Sequence, residues 1–395
     1  MGEWKNVRVG ELGKIITGKT PKTSISDNYG GRIPFLTPSD NMSVKYVGKT
    51  SKTLTEKGLL EVKNAILPEN SVCVSCIGSD LGKAVITTCP TVTNQQINSI
   101  IVDKKSFDVS FVYYAMQILG KKMNFISKTS TAVPIVNKSS FSSYEIKCPP
   151  REDQKRIAAV LSALDSKIEC NKKINDNLEQ QAATYFQELF INNANPVWQI
   201  STISDLGTVV GGSTPSKTKP EYYTNNGIAW ITPKDLSINK SKFISHGEND
   251  ITELGLKNSS ATVMPKGTVL FSSRAPIGYI AIASNEVTTN QGFKSVIPYS
   301  EIGTAFVYFF LKRSLPVIES AASGSTFKEI SGSAMKNIPA IIPDRNTLDQ
   351  FNSFCAPIFA QQKILEEQNH SLAMLRDSLL PKLMSGAIDI ASIQL

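Results

Sequence analysis

The chain has 395 residues, 41% of them hydrophobic, which is enough for two or three ordinary globular cores. Its net charge of +8 suits a polyanionic partner without identifying one. No apolar run reaches the roughly 18 residues of a membrane helix. Met1–Trp4 carries no basic segment followed by an apolar run, so we expect no secretion signal. The six cysteines occupy no matched positions, so we expect free thiols and a cytoplasmic protein.

The main feature of the sequence is an internal repeat. The segment Trp4–Pro21 recurs as Trp198–Pro215, 194 positions later, and Thr37–Asp40 recurs as Thr232–Asp235. Solenoid repeats span roughly 20 to 50 residues, so a repeat this long indicates a duplicated domain. We predict a first domain over residues 1–150, a first spacer helix over 151–195, a second domain over 196–343, and a second spacer helix with a C-terminal tail over 344–395.

Within each predicted domain, short apolar runs are broken by Gly, Pro, Ser, Thr and Asn. The runs Val72–Ile77 and Val269–Ser273 are typical of β-strands. The segments Phe111–Leu119 and Phe306–Leu311 are typical of short helices. Each domain is therefore predicted to have a mixed α/β fold.

A long helical pattern without internal glycine follows each domain. Apolar residues recur at alternating steps of three and four, as in a coiled-coil seam. Amides interrupt both patterns, Gln361 and Gln368 in the second, and such amides fix the register of helices that pair with each other. The alternative is that each helix packs only on its own domain. Pro357 and Pro381 predict a kink or a boundary in the second helix. The predicted seam residues are Ile157, Leu161, Leu164, Ile168, Asn171, Asn175, Leu178, Phe351, Ile358, Leu365, Leu372, Leu375 and Leu379.

A search for catalytic and metal-binding patterns yields none. His246 and His370 have no counterparts in the other copy, so a duplicated histidine catalyst is not expected. Cys73 and Cys76 have the spacing of half a zinc site, but no second pair follows. Gly78–Ala84 resembles a phosphate loop but has three residues between its glycines where the motif has four. Ala84 also stands where the motif has a Ser or Thr. We predict no catalytic residue and no metal site in the chain.

What recurs instead is a set of hydrogen-bonding residues beside basic ones in the loops of both copies. Lys, Ser and Thr suit phosphates, Arg suits guanine, and Asn or Gln suits adenine. The alternative is that these residues only form turns and helix caps. The candidate DNA-binding residues are Lys19, Thr20, Lys22, Ser39, Ser75, Lys83, Gln95, Gln96, Lys128, Ser130, Thr131, Ser213, Thr214, Lys217, Lys234, Ser273, Arg274, Gln291, Lys294, Ser325, Thr326 and Lys328.

Three motifs resemble a known family, the specificity (S) subunits of type I restriction-modification systems. Trp4–Pro21 is similar to the start of a target-recognition domain, Pro149–Ile168 to the Pro-Pro entry of a conserved helix, and Leu379–Gly386 to the usual ending. The duplication extends the resemblance over the whole chain. The second helix departs from the pattern, since Pro343–Gln350 lacks the second proline and the acidic residue of the Glu-Gln pair.

This resemblance implies two tandem target-recognition domains of α+β type, joined by two long helices that form an antiparallel coiled coil with a pseudo-twofold internal repeat. Each domain would read one half of a bipartite, asymmetric sequence in double-stranded DNA, and the helices would fix the gap between the halves. Two methyltransferase subunits carrying S-adenosylmethionine and two restriction subunits using ATP and magnesium would dock on the chain. The chain itself would hold no cofactor.

Two other classes of function remain open on the residues alone. One is a nuclease or methyltransferase with a degenerate active site. The other is a non-catalytic coiled-coil scaffold whose basic domains bind proteins.

Overall fold

The computed structural model describes residues 3–128, 136–324 and 328–390, with only the backbone at Lys128. The chain divides into two compact units. One consists of Met1–Glu169 with Ser371–Leu395, and the other of Cys170–His370. Each unit therefore contains one globular domain and segments of two long helices.

The first unit combines three β-sheets with short and long helices. The strands are β1 (Lys5–Arg8), β2 (Gly13–Thr17), β3 (Tyr29–Leu36), β4 (Tyr46–Val47), β5 (Lys52–Leu54), β6 (Ile66–Leu67), β7 (Val72–Ser75), β8 (Ala84–Thr87), β9 (Thr91–Thr93), β10 (Ile97–Val102) and β11 (Glu145–Cys148). The helices are α1 (Glu56–Glu61), α2 (Val109–Lys128), α3 (Lys138–Ser143) and α4 (Arg151–Gln187), the last of which continues into the second unit.

The second unit has a similar series of elements, with two more short helices among its described residues. Its strands are β12 (Gln199–Thr202), β13 (Gly207–Gly211), β14 (Tyr223–Thr224), β15 (Ile228–Ile231), β16 (Phe243–Ile244), β17 (Asn249–Ile251), β18 (Val269–Ser273), β19 (Ile277–Ala283), β20 (Thr288–Thr289), β21 (Lys294–Pro298) and β22 (Pro339–Ile342). Its helices are α5 (Pro233–Ile238), α6 (Glu253–Lys257), α7 (Thr304–Arg313), α8 (Leu315–Ala321), α9 (Gly332–Lys336) and α10 (Arg345–Ser385), the last of which continues into the first unit.

The sheet topology confirms that the repeat is a duplicated fold. The five-stranded sheet has the order β2-β10-β7-β8-β4 in the first unit and β13-β21-β18-β19-β16 in the second. A four-stranded sheet and a two-stranded ribbon accompany each of them, ordered β5-β3-β9-β6 and β1-β11 in the first unit and β14-β17-β15-β20 and β12-β22 in the second. The predicted mixed α/β class is correct for both units.

The central strands form because their sequences can be buried on both faces. Every residue of β7 and of β18 is buried, as continuous apolar runs predict for a strand covered on both sides. Helix α2 covers the sheet of the first unit with Phe111 and Tyr114, and α7 covers that of the second with Phe306 and Phe309. The two predicted strands and the two predicted short helices are thus present, although α2 extends nine residues beyond Leu119.

The long helices pair in opposite directions within each unit. In the second unit the Asn171 amide donates to Asn369 Oδ1 at 3.0 Å, and the ring of Tyr185, further along α4, lies 6.0 Å from that of Phe351, earlier in α10. In the first unit the end of α10 enters the core beside the start of α4, where Leu383 and Leu161 are both fully buried. Residue numbers therefore rise along α4 while they fall along the facing part of α10. The two helices run in opposite directions, as in an antiparallel coiled coil.

The predicted phase of the second seam is wrong over part of its length. Leu375 is 47% exposed, and Gln361 and Gln368 are exposed as well. Gln362, with 3% exposure, and Asn369 make the closer contacts with the other helix, whereas Gln368 accepts from the Asn171 amide at the longer distance of 3.4 Å. The predicted seam advances by three residues at points where the buried face of α10 advances by four. At each such point the predicted residue therefore lies one position before the more buried residue.

The remaining predicted seam residues lie at buried or half-buried positions. The step of four leads from Phe351 to Cys355, which is fully buried. The buried members are Ile157, Leu161, Ile168, Asn171, Phe351, Ile358 and Leu365, and the half-buried members are Leu164, Asn175, Leu178, Leu372 and Leu379.

Neither proline ends the second helix. Both Pro357 and Pro381 lie within α10, which runs from Arg345 to Ser385. Both prolines are exposed, so the carbonyl group that each leaves without a helical N–H partner can be hydrated. The first spacer helix ends differently, because α4 passes into a π-helical turn at Glu188–Asn192.

A matched lysine joins each domain to the helices. In the first unit, Lys45 Nζ donates to Ser162 Oγ of α4 at 2.6 Å and to Tyr114 Oη at 3.1 Å. The Tyr114 hydroxyl donates to Asp165 at 2.5 Å, and Arg376 of α10 pairs with that carboxylate at 2.9 Å. Burial lowers the pKa of Lys45 to about 8, although Asp165 opposes the shift.

The second unit has a more strongly charged version of this contact. Lys242 pairs with Glu179 of α4 and donates to Gln362 Oε1 of α10 at 2.7 Å. Glu179 also accepts hydrogen bonds from Lys312 at 2.6 Å and from the Tyr308 hydroxyl at 3.1 Å. Burial lowers the pKa of Lys242 despite its carboxylate partner. Burial opposes ionisation of Glu179 as well, but the two lysines outweigh it and lower the pKa of that carboxyl.

Candidate functional site

The first feature of the candidate surface is a close approach of two loops, present in both units. A Cβ atom added to Gly18 would lie 2.1 Å from the carbonyl oxygen of Asn94, and one added to Gly212 would lie 2.1 Å from that of Asn290. Only glycine allows such an approach. The turn after β2 is thereby held against the loop after β9, and the turn after β13 against the loop after β20.

Across this approach, equivalent side chains make equivalent hydrogen bonds. The Thr20 hydroxyl donates to Gln95 Oε1 at 2.6 Å in the first unit, and the Thr214 hydroxyl donates to Gln291 Oε1 in the second. Both glutamines are exposed. Each unit therefore presents an anchored amide, the group that suits the edge of an adenine.

A second matched feature is a carboxylate that ties two loops together. Asp40 accepts from the backbone N–H of Thr37 at 2.8 Å and of Ser51 at 2.7 Å. Asp235 accepts from Thr232 at 2.7 Å and from the N–H of residue 248 at 2.8 Å. Burial opposes ionisation of Asp40, but these hydrogen bonds outweigh it and lower its pKa. The predicted Thr-Pro-x-Asp motifs thus organise loops, and the exposed residue between proline and aspartate is Ser39 or Lys234.

In the second unit these loops surround a cavity of about 650 Å³. Five side chains that the sequence predicted as DNA-binding line it, from four separate segments of the domain. The walls also include the ring of Trp230, whose Nε1 donates to the Ser213 carbonyl at 3.0 Å, and the Lys234–Glu248 ion pair at 2.6 Å. The five predicted lining residues are Thr214, Lys217, Lys234, Arg274 and Gln291.

The other candidates fall into three groups by their exposure. Ser75 and Ser273 are fully buried in β7 and β18, so their hydroxyls do not reach the surface. Lys294 is largely buried, and Gln96 and Ser213 are half-buried. Exposed positions are occupied by Lys19, Thr20, Lys22, Ser39, Lys83, Gln95 and Lys328.

Five candidates lie wholly or partly outside the described residues. They are Ser130, Thr131, Ser325, Thr326 and the side chain of Lys128.

Sequence reasoning missed two contributors to this surface. Trp230 aligns with no tryptophan in the first copy, so the repeat gave no reason to select it. Glu329, which pairs with Arg274 and Lys294, was missed because acidic residues were not sought beside DNA-binding ones. Its position next to the candidate Lys328 was the available signal.

The residues described do not form a metal centre. Over residues 3–128, 136–324 and 328–390, no group of three or more His, Cys, Asp or Glu side chains could hold a metal ion. Cys73 is completely buried, which raises the pKa of its thiol to about 12, and Cys76 accepts a hydrogen bond from Asn98 at 3.2 Å. Within the same ranges no helix has the length and apolar character needed to cross a bilayer.

Comparisons with known proteins agree with this fold. The family described as "Type I restriction modification DNA specificity domain" matches residues 1–180 and again 196–369. The MjaIX specificity subunit of Methanocaldococcus jannaschii is 43% identical over 162 residues, covering 40% of this chain and 37% of that subunit. The HindI specificity subunit of Haemophilus influenzae is 22% identical, with 98% of this chain and 100% of that subunit aligned.

A solved structure has the same fold along the whole chain. The type I restriction-modification S subunit of M. genitalium superposes with a TM-score of 0.60 at 17% identity, covering 97% of this chain and 96% of that one. The repeated sheet topology, the paired long helices and the two family matches lead to one assignment. The chain belongs to the type I restriction modification DNA specificity family, the non-catalytic target-recognition subunits of type I restriction enzymes.

Proposed function

We propose that this chain recognises a bipartite, asymmetric DNA sequence, with one domain reading each half. The observation that carries the proposal is the convergence of five hydrogen-bonding or basic side chains around one cavity of the second domain. The matched Thr20–Gln95 and Thr214–Gln291 pairs give each domain an exposed, anchored amide at the same point of its fold. Matched scaffolds with different loops suit the recognition of two different half-sites.

The charge of the cavity fits this role. Lys217, Lys234 and Arg274 outnumber the carboxylates of Asp235 and Glu248 along its wall. The Asp235 carboxylate accepts hydrogen bonds from backbone N–H groups, so it stabilises the loops and does not act as a binding group of the cavity. Binding of DNA here would release counterions, and affinity would therefore fall steeply with salt.

The experiment that tests the proposal is an exchange of domains. The chain is coexpressed in a bacterial host with its modification partner, and methylated adenines are mapped across the genome. Replacing residues 198–343 by the equivalent segment of a relative should change one half of the methylated motif and leave the other half intact. A motif that changes in both halves, or in neither, would contradict the assignment of one domain to each half.

We further propose that the helices α4 and α10 hold methyltransferase subunits and set the number of base pairs between the two half-sites. S-adenosylmethionine, ATP and magnesium would then be bound by the methyltransferase and restriction partners, two of each, in the cytoplasm. Adding one heptad to both helices should preserve pairing and lengthen the gap in the motif. An unchanged gap in a folded double insertion would refute this role of the helices.

Activity and DNA-binding assays on the purified chain distinguish two other functions. Methyl transfer or DNA cleavage by the purified chain alone would favour an enzyme with a degenerate site. Binding that is insensitive to salt would favour a scaffold for proteins, since phosphate contacts impose a salt dependence.

A further inference from the structure

The two domains differ in charge at one equivalent point of their central sheets. In the first unit Val72 pairs with Ile100, and in the second unit Val269 pairs with Val296, so the registers of β7–β10 and β18–β21 coincide. Counting from these pairs, Ile77 corresponds to Arg274 and Asn98 to Lys294. The second domain therefore carries two cations where the first has an isoleucine and an amide.

In the first unit this point is occupied by a neutral network. Asn98 is 2% exposed, and its amide donates to Cys76 Sγ at 3.2 Å and to the Val136 carbonyl at 3.1 Å. Its Oδ1 accepts from the Thr17 hydroxyl at 2.7 Å. The side chain of Asn98 is thus used internally to join β10 to its neighbouring segments.

In the second unit the same point holds an ion-pair cluster. Glu329 Oε2 lies 3.3 Å from Arg274 Nη1, and Glu329 Oε1 lies 3.6 Å from Lys294 Nζ. The Lys294 side chain is only 16% exposed, whereas those of Arg274 and Glu329 are 39% and 37% exposed. One carboxylate faces two cations, so the cluster keeps a net positive charge, and the cation that reaches the surface is Arg274.

The backbone holds Glu329 in place. Its N–H donates to the Ser323 carbonyl at 2.9 Å, and its own carbonyl accepts from Ser323 N–H at 3.1 Å. The next residue, Ile330, is fully buried and donates to the Ser273 carbonyl at 3.1 Å. The carboxylate is therefore carried by a segment attached to the end of β18, directly beside Arg274.

We propose that Arg274 is a specificity-determining residue that reads a guanine in the half-site of the second domain, and that Glu329 is a positioning residue that orients its guanidinium. This inference rests on the proposed function and adds to it the identity of one recognised nucleobase and the side chain that contacts it. Arg274 lines the cavity, and the single contact from Nη1 leaves other N–H groups of the fork for the O6 and N7 atoms of guanine. Holding the fork in one orientation before binding lowers the entropic cost of the contact.

Lys294 has a supporting role in this arrangement. An unpaired carboxylate beside DNA would repel the phosphates. Lys294 lies on the buried side of Glu329 and offsets that charge, so the carboxylate can orient Arg274 without repelling DNA. The first domain has no equivalent cluster among its described residues, so Arg274 affects one half-site only.

The test is a map of methylated adenines in a host that carries the modification complex with wild-type, Arg274→Ala, Arg274→Lys or Glu329→Gln chains. A guanine contact of about 1–3 kcal/mol corresponds to about 5- to 150-fold discrimination. Arg274→Ala should therefore make one G·C position degenerate in the second half-site and leave the first half-site unchanged. Arg274→Lys keeps the positive charge but loses the paired N–H donors of the guanidinium. It should therefore reduce the preference for G·C at the same base pair. Glu329→Gln should weaken discrimination there by a smaller factor.

Lys257→Ala is the matched control, because it removes one exposed charge from the same domain at the end of α6, outside the cavity lining. It should leave the motif unchanged. An unaltered motif in both Arg274 variants, or a uniform loss of methylation at all sites without relaxation at one base pair, would overturn the guanine contact while leaving bipartite recognition intact. The absence of any bipartite motif with the wild-type chain would instead overturn the proposed function itself.

Discussion

The buried ion pair of the second unit should respond unequally to the loss of its two members. Lys242 has a side chain only 6% exposed, and Glu179 is its only ion-pair partner among the described contacts. Glu179 is 23% exposed and keeps a second cation, Lys312 at 2.6 Å, and the hydroxyl of Tyr308 if Lys242 is removed. Glu179→Gln therefore leaves the buried ammonium without its ion-pair partner and with only the weaker attraction of the Glu366 carboxylate. Lys242→Met, in contrast, leaves a carboxylate that is still paired.

The magnitudes follow from these contacts. Removing one member of a buried pair costs about 3–5 kcal/mol when the other charge is left uncompensated, and we expect Glu179→Gln to fall in that range. Lys242→Met should cost no more than about 2 kcal/mol, since methionine can fill the space against the Phe359 ring, 4.0 Å from the ammonium. The double variant should be more stable than Glu179→Gln alone, because the second change removes the stranded charge.

The measurement is urea unfolding followed by tryptophan fluorescence in a Trp4→Phe background, in which Trp198 and Trp230 report on the second unit. The free energy of unfolding is compared among the wild-type, single and double variants. If Lys242→Met proves the more damaging single change, or if the double variant is less stable than Glu179→Gln, the reasoning from unequal partners is refuted.

Three further predictions concern the loops, the first unit and the seam. Gly212→Ala should destabilise the second unit by about 1–3 kcal/mol in thermal unfolding, because its Cβ would lie 2.1 Å from the Asn290 carbonyl, whereas Gly211→Ala, whose Cβ meets nothing within 4 Å, should not. Burial lowers the pKa of Lys45 to about 8, so above that pH the unfolded chain binds the extra proton and the contribution of Lys45 to stability rises. Between pH 7.5 and 10 the unfolding free energy of Lys45→Met should therefore change less favourably than that of the wild-type chain, and this difference cancels the opposite effect of buried thiols such as Cys73, whose pKa is raised. An equal change in the two chains in urea unfolding would contradict this. Asn171→Leu should raise the unfolding free energy by about 1 kcal/mol, because the buried Asn171 Oδ1 accepts no hydrogen bond from the described residues. A lower urea midpoint in this variant would contradict the prediction.

The sequence predicted the parts of the fold that depend on local pattern. The duplication, the fully buried strands β7 and β18 and the two long helices follow from apolar runs and their spacing. The phase of the second seam did not follow, because a step of three to Phe354 and a step of four to Cys355 both lead to an apolar residue. Only the packing of α10 distinguishes them, by burying Cys355 and leaving Phe354 40% exposed.

The candidate surface was predicted by residue type but not by arrangement. Matched sequence segments located Thr214 and Gln291, yet nothing in the sequence showed that their side chains hydrogen-bond to each other. Ser273 was selected by the same reasoning and is buried, because the alternation of a strand covered on both faces gives no sign of which polar residues reach solvent. Contacts such as Arg274–Glu329 join residues 55 positions apart and arise only when the sheet is formed.

If each domain reads its own half-site, as proposed, one fold carries two specificities. The hydrogen bonds that build the loops, from Asp40 and Asp235 and across Gly18 and Gly212, are the same in both units, so the backbone at the candidate surface does not depend on the bases to be read. The neutral Asn98 network and the charged Lys294 cluster occupy one equivalent position without changing the strand register around it. Under the proposed function, a change in recognised sequence would therefore require only side-chain replacement at such positions, while the paired helices and the loop framework are retained.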